Sequence, residues 1–206
     1  MILTRKNLNK IFYIDKLKMV DKNSIPINVF VLGDTSTGKT QILSRYIENK
    51  FMDNYLSTLG IDRQMKLFKA NKKQLKILFY NQSGQERYRH LCKNIIPKLD
   101  GVIYTFDITD KSSFEQLDSF LDIVKQYSNN NNPISVIFAN KNDLKEKRKV
   151  SKEEIDNYAQ KYNMKVFEVS AKTGENIKEG FNEIINQICL RKGITDFLSS
   201  FNEVNK

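Results

Sequence analysis

The eight residues Gly33-Asp34-Thr35-Ser36-Thr37-Gly38-Lys39-Thr40 restrict this chain more than any other stretch. They satisfy G-x-x-x-x-G-K-S/T at every position. An apolar run, Val29-Phe30-Val31-Leu32, precedes them, and a helix-like segment from Gln41 to Glu48 follows. A strand turning this tightly into a helix curls successive backbone N–H groups around one point, where the helix dipole adds positive potential. The turn therefore reads as a phosphate cradle built from Asp34, Thr35, Ser36, Thr37, Gly38, Lys39, Thr40 and Gln41. Lys39 is expected to reach the β- and γ-phosphates and the Thr40 hydroxyl to ligate Mg²⁺. The competing explanation is a chance Gly/Thr-rich turn, and the strand before and helix after count against it.

Around this turn, apolar runs alternate with helix-period segments. Strands are expected at 28–33, near 64–70 and 74–80, and at 101–107, 134–140 and 165–169. Helices are expected at 39–48, 86–96, 112–128, 151–162 and 175–191. Such alternation predicts an α/β fold: a six-stranded, mostly parallel sheet with helices on both faces. Ala70-Asn71-Lys72-Lys73 reads as a hairpin turn, so one edge strand should be antiparallel. Ile177, Phe181, Ile184, Ile185 and Ile188 fall on one face of the last helix as a core stripe. Ser128 to Pro133 reads as a solvated connector. The chain divides into a basic extension (1–26), one folded domain (27–191) and a short tail (192–206).

The 206 residues include 34 Lys and Arg against 24 Asp and Glu, a net charge of +10. Nucleic acid, an anionic membrane and acidic proteins are the partner classes for such a charge. Lysine-rich composition without any special partner is the plainer explanation. No aromatic-interleaved basic stripe or zinc pattern argues for nucleic acid. No apolar run approaches the ~20 residues that span a bilayer, and the N-terminus lacks the long apolar core of a secretory signal. Two cysteines, Cys92 and Cys189, make no disulfide framework, so a reducing, cytoplasmic setting fits.

Two further motifs follow strands. Asn140-Lys141-Asn142-Asp143 comes after Val136-Ile137-Phe138-Ala139. A carboxylate there can accept from guanine N1 and its exocyclic amine, an edge adenine does not present, and mismatched polar groups are penalised steeply. Lys141 can lay its aliphatic stem over the base. Ser170-Ala171-Lys172 comes after Val166-Phe167-Glu168-Val169, and a backbone N–H there can meet guanine O6. Taken singly, a loop Asp after a strand is more often a turn residue or helix cap. Three motifs at three strand C-termini converge where open α/β sheets bind ligands.

With these motifs the chain, from about Ile27 to Leu190, resembles the small GTPases and among them the Rab family. Tyr55 to Asp62 looks like the Rab switch I stretch, and Ser83-Gly84-Gln85-Glu86-Arg87-Tyr88 like switch II. The resemblance implies a P-loop NTPase fold that binds GTP and GDP with Mg²⁺ and hydrolyses GTP slowly. It implies that Phe51 packs edge-on against guanine and that Thr58 completes the metal shell. Gly84 would donate its N–H to the γ-phosphate, and Gln85 would orient the attacking water. Gln85, Lys39 and Thr58 are then the catalytic set, and Thr40, Thr58 and Asn81 the metal set. Contacts from two loops to one γ-phosphate would make an order–disorder switch. An exchange factor, an activating protein and effectors are implied as partners, and vesicle-mediated transport as the setting.

The chain departs from the family in four ways. Asn81 stands where an Asp usually steadies Mg²⁺, so metal affinity and hydrolysis are expected to fall about 10–100-fold. A hydrolysis-deficient GTP-binding module is the alternative this motivates. Arg63, Tyr80 and Ile95 replace an exposed aromatic cluster that Rabs usually present to effectors. No cysteine follows Cys189, and Ile2 stands where myristoylation needs Gly, so neither lipid anchor is expected. Apolar residues at both ends (Leu8, Ile11 and Phe12; Ile194, Phe197, Leu198 and Phe201) raise peripheral endomembrane contact without a prenyl anchor. For the tail, docking on the protein's own surface is preferred. A start at Met19 would leave only a short leader. A P-loop ATPase or small-molecule kinase is opposed by Asn140-Lys141-Asn142-Asp143.

Overall fold

The computed structural model describes residues 24–52, 60–70, 73–82, 92–129 and 131–197. Strands β1 (Ile25–Leu32), β2 (Ile61–Ala70), β3 (Lys73–Gln82), β4 (Gly101–Asp107), β5 (Ile134–Asn140) and β6 (Lys165–Glu168) form one sheet in the order β2-β3-β1-β4-β5-β6. Among the described residues only β2 and β3 pair antiparallel, from Ile61 opposite Gln82 to Ala70 opposite Lys73. The other neighbours run parallel. The expected edge hairpin and parallel core are both present. Strand order reverses between β1 and β4, so the crevice at their carboxyl ends is the switch point where such sheets take ligands.

Each face of the sheet carries its own core. On one lie α1 (Lys39–Glu48) and α5 (Ile177–Arg191), with Ile177, Phe181, Ile184, Ile185 and Ile188 all at most 2% exposed, as their spacing predicts. Tyr46 of α1 stacks on Phe181 of α5 at 4.0 Å, and Phe181 meets Phe79 of β3 edge-on. These rings fix the body of α1, and hence the position of its N-terminus. On the other face α2 (Lys111–Glu115), α3 (Leu117–Tyr127) and α4 (Lys152–Tyr162) cover Val102, Tyr104, Phe106 and Ile137. Ser151 caps α4 in a reciprocal capping box with Glu154.

Two expectations about helices change. The single helix at 112–128 is two, broken at Gln116. There the Ser119 hydroxyl donates to the Gln116 carbonyl at 2.7 Å, competing with the helical ladder. Of the helix expected at 86–96, residues 86–91 lie outside the described residues. Residues 92–94 and Ile96–Lys98 are short 3-10 turns, because Pro97 cannot continue an α-helical ladder. The 128–133 connector is exposed at Asn129, Asn131 and Asn132, as expected, and the Asn131 side chain donates to the Leu99 carbonyl at 2.6 Å. In the tail, Phe197 is fully buried and Ile194 is 8% exposed, both inside the α1/α5 core. That burial is the preferred docking on the protein's own surface for these two residues, while Leu198 and Phe201 lie outside the described residues. Among the described residues, no helix is long and apolar enough to cross a membrane.

Replacing Phe197 by Ala should cost about 3–5 kcal/mol, the range for emptying a buried phenylalanine site. Urea unfolding measures it, and a loss below about 1 kcal/mol would show that the tail does not pack as described.

Candidate functional site

Gly33 ends β1 because a larger residue does not fit. At its φ of +155° a Cβ would lie 2.0 Å from the Thr105 carbonyl oxygen of β4. Gly38 closes the same turn at φ +92°, where a Cβ would lie 2.3 Å from the Asn140 Nδ2 atom. Between them, the buried Thr37 hydroxyl donates to the Asp34 carbonyl at 2.9 Å. Helix α1 starts at Lys39, and Ile42 makes the first N–H bond back to Gly38. The amides before Ile42 therefore have no acceptor within the helix. No acidic side chain in the first turn offsets the dipole. The loop is an anion cradle by geometry and by charge.

Lys39 is 6% exposed, and its ammonium donates to the Asp34 carbonyl at 2.6 Å. Burial lowers its pKa to about 8, against a smaller opposing pull from Asp34. A buried ammonium satisfied mainly by a carbonyl is electrostatically poised for an anion. The Gln41 side chain amide clamps the Met52 backbone, donating to the carbonyl at 2.8 Å and accepting from the N–H at 3.1 Å. Its side chain thus holds the 51–52 segment, and only its backbone is left to the cradle. Phe51, the expected base contact, is half-buried against the α1/α5 core.

The Asn140 side chain joins this cradle to the other two motifs. It is 1% exposed at the end of β5. Its Nδ2 donates to the Thr37 carbonyl at 2.8 Å, and its Oδ1 accepts from the Ala171 N–H at 3.2 Å. Asp143 accepts from the Ser170 hydroxyl at 2.6 Å, which sets the carboxylate against the same loop. Lys141 takes a left-handed conformation, φ +67°, and its ammonium pairs with Asp107 at 2.5 Å. Asn140, Lys141, Asp143, Ser170, Ala171 and Lys172 are therefore gathered beside the phosphate loop. Thr58, Gly84 and Gln85 lie outside the described residues.

Three supporting side chains escaped sequence reading. Arg45 of α1 donates to the carbonyls of Ala171 (3.0 Å) and Lys172 (2.8 Å), bracing their loop from the back. Asp107 anchors Lys141, and its place at the carboxyl end of β4 is the one signal that pointed to it. Asn142 is locked between Glu175 and Arg148. Of the expected effector positions, Arg63 is exposed on β2 opposite Tyr80. Tyr80 is half-buried, with its hydroxyl donating to Asn28 at 3.2 Å.

At the end of β3, Asn81 is fully buried, in register with Val31 of β1. Its Nδ2 donates to the Thr40 hydroxyl at 2.6 Å, while its Oδ1 has no hydrogen-bond partner among the described residues. A hydroxyl and a partnerless buried oxygen at the mouth of an anion cradle suit a hard, oxygen-seeking cation such as Mg²⁺. The residues fit the metal, with a neutral oxygen where a charged one would bind harder.

A phosphate cradle at a switch point, with a carboxylate loop and an amide loop stapled beside it, defines a P-loop nucleotide-binding protein. The Ras family profile matches residues 28–190, and the chain belongs to the Ras family of small GTPases. It is 32% identical over 165 residues to Ras-related protein Rab-13 of Mesocricetus auratus, covering 80% of this chain and 81% of that protein. It is also 32% identical over 173 residues to Ras-related protein Rab-1 of Theileria parva, covering 84% and 77%. With Ras-related protein SEC4 of Candida albicans the identity is 32% over 162 residues, covering 79% and 77%. Family membership implies guanine-nucleotide binding and GTP hydrolysis.

Asn140→Ala would strand the Thr37 carbonyl and the Ala171 N–H together. It should destabilise the protein by about 1–3 kcal/mol and speed amide exchange at Ala171. Denaturant unfolding and hydrogen exchange report the two effects, and unchanged protection at Ala171 would contradict the staple.

Proposed function

We propose that this protein is a Rab-like, Mg²⁺-dependent GTP/GDP switch acting in vesicle-mediated transport, with slow hydrolysis until an activating protein assists. The observation that supports this reading is the Asn140 staple, which ties the phosphate cradle to the 170–172 loop, with Asp143 bonded to Ser170 of that loop. Asp143 reads guanine N1 and N2, a backbone N–H of the Ser170–Lys172 loop meets O6, and the Lys141 stem covers the base while Asp107 holds its ammonium. Phe51 closes the other side. Lys39 and the amides from Asp34 to Gln41 bind phosphate, and binding supplies Lys39 with the anion its burial lacks. Thr40, Thr58 and Asn81 would hold Mg²⁺, which when bound neutralises charge on the phosphates. Gly84 fixes the γ-phosphate, and Gln85, offering both donor and acceptor, positions water. Exchange factor, activating protein and effectors act on the switch stretches. Arg63 in place of an aromatic residue gives the effector face a cation that Rab partners need not share.

Asn81 gives a second reading its one observation: a GTP-bound interaction module that does not hydrolyse. Single-turnover GTP hydrolysis at saturating Mg²⁺ separates the two. Phosphate release that Gln85→Ala slows, with GDP affinity unchanged, supports the switch, and no release even with an activating protein supports the module.

Guanine specificity has its own check. Asp143→Ala should weaken GTP binding by about 10⁴-fold, as for a site that loses its paired polar contact, and leave any weak ATP binding unmoved. Direct GTP and ATP competition measures this, and ATP binding equal to GTP in the parent protein would refute the assignment.

A further inference from the structure

A feature that guanine binding does not explain is the neutral side chain that, among the described residues, stands beside Thr40. Asn81 is 0% exposed and bonds the Thr40 hydroxyl through its amide nitrogen, which leaves its oxygen without a partner among the described residues. The carboxylate opposite it in register does not replace a charge there. Asp62 is exposed and engages the Arg63 N–H at 2.9 Å and the Gln64 side chain at 3.2 Å. Lys39, in contrast, is a buried cation at the same loop.

Consider what a carboxylate would do at position 81. With a divalent cation present, it would attract the metal. Without the metal, it would face the nucleotide phosphates from a site shut off from water, where like charges repel strongly. Both effects make nucleotide binding depend on the metal. An amide does neither. Binding linkage is reciprocal, so whatever factor the metal adds to nucleotide affinity, the nucleotide adds to metal affinity. Removing the charge at 81 shrinks both by the same factor.

We propose that Asn81 uncouples nucleotide retention from Mg²⁺, so that this protein holds GDP nearly as well without the metal as with it. The proposal rests on the guanine-nucleotide reading above and specifies its regulation. Exchange that works by expelling the metal would gain little here. Release must instead come from opening the cradle itself, at Lys39 or at the Asn140 staple. Asn81 acts as a positioning residue, orienting the Thr40 hydroxyl without adding charge.

The test is the affinity of the full chain for a fluorescent GDP analogue, measured by anisotropy in excess Mg²⁺ and in excess EDTA. For the parent protein EDTA should weaken binding by less than roughly tenfold. For Asn81→Asp the same ratio should widen by about 10–100-fold, the range for altering a group behind a metal ligand. A parent ratio of about 100-fold or more, or equal ratios in parent and variant, would overturn the proposal. If the variant does not fold, the parent ratio alone decides by the same limits. Absence of GDP binding in both solutions would instead refute the guanine reading and take this proposal with it.

Discussion

The nucleotide edge of this protein hangs on one side chain. Asn140 spans from the Thr37 carbonyl to the Ala171 N–H, two points far apart in sequence. A carboxamide is one of the few groups that can donate and accept in opposite directions at once. The close passage of Gly38 over that amide leaves no room for a larger residue. The phosphate loop, the loop after β5 and the 170–172 loop are thereby three faces of one hydrogen-bonded knot. Each owes its position to the others, and Arg45 secures the knot from behind through the carbonyls of Ala171 and Lys172.

The rest of the sheet delivers these parts to one place. Parallel pairing of β3, β1, β4, β5 and β6 brings their carboxyl ends to one edge. Aromatic stacking of Tyr46 on Phe181 sets the axis of α1, which aims the amides before Ile42 at the cradle. The phosphate loop is thus tied both to the helix behind it and to the loops beside it. The neutral Asn81 side chain is a local choice at one strand end, and it alters the metal's role without disturbing the scaffold.

Much of this was legible in the sequence because its signals are local. The turn from Gly33 to Thr40, the apolar strands and the stripe from Ile177 to Ile188 need only nearest neighbours to be recognised. What escaped depends on partners distant in the chain. Arg45 carries no motif, and its value appears only when the 170–172 loop folds against α1. The Gln41 side chain found the Met52 backbone, a pairing no spacing rule announces. The break at Gln116 came from Ser119 turning back on the helix, a competition between side chain and backbone that helical periodicity conceals. Asn81 was visible as a departure. Its stranded oxygen became visible only with the Thr40 hydroxyl beside it.

The burial of Ile194 and Phe197 bears on how the molecule is held. Ile25, where β1 begins, shares a shallow pocket with Lys192, Gly193, Ile194 and Asp196. The start of β1 and the residues that follow α5 therefore share one corner of the domain. β1 runs from that corner to Gly33, so the nucleotide edge lies at the far end of the same strand. A partner that gripped the protein at this heel would leave the phosphate loop at the far end of β1 facing away from it.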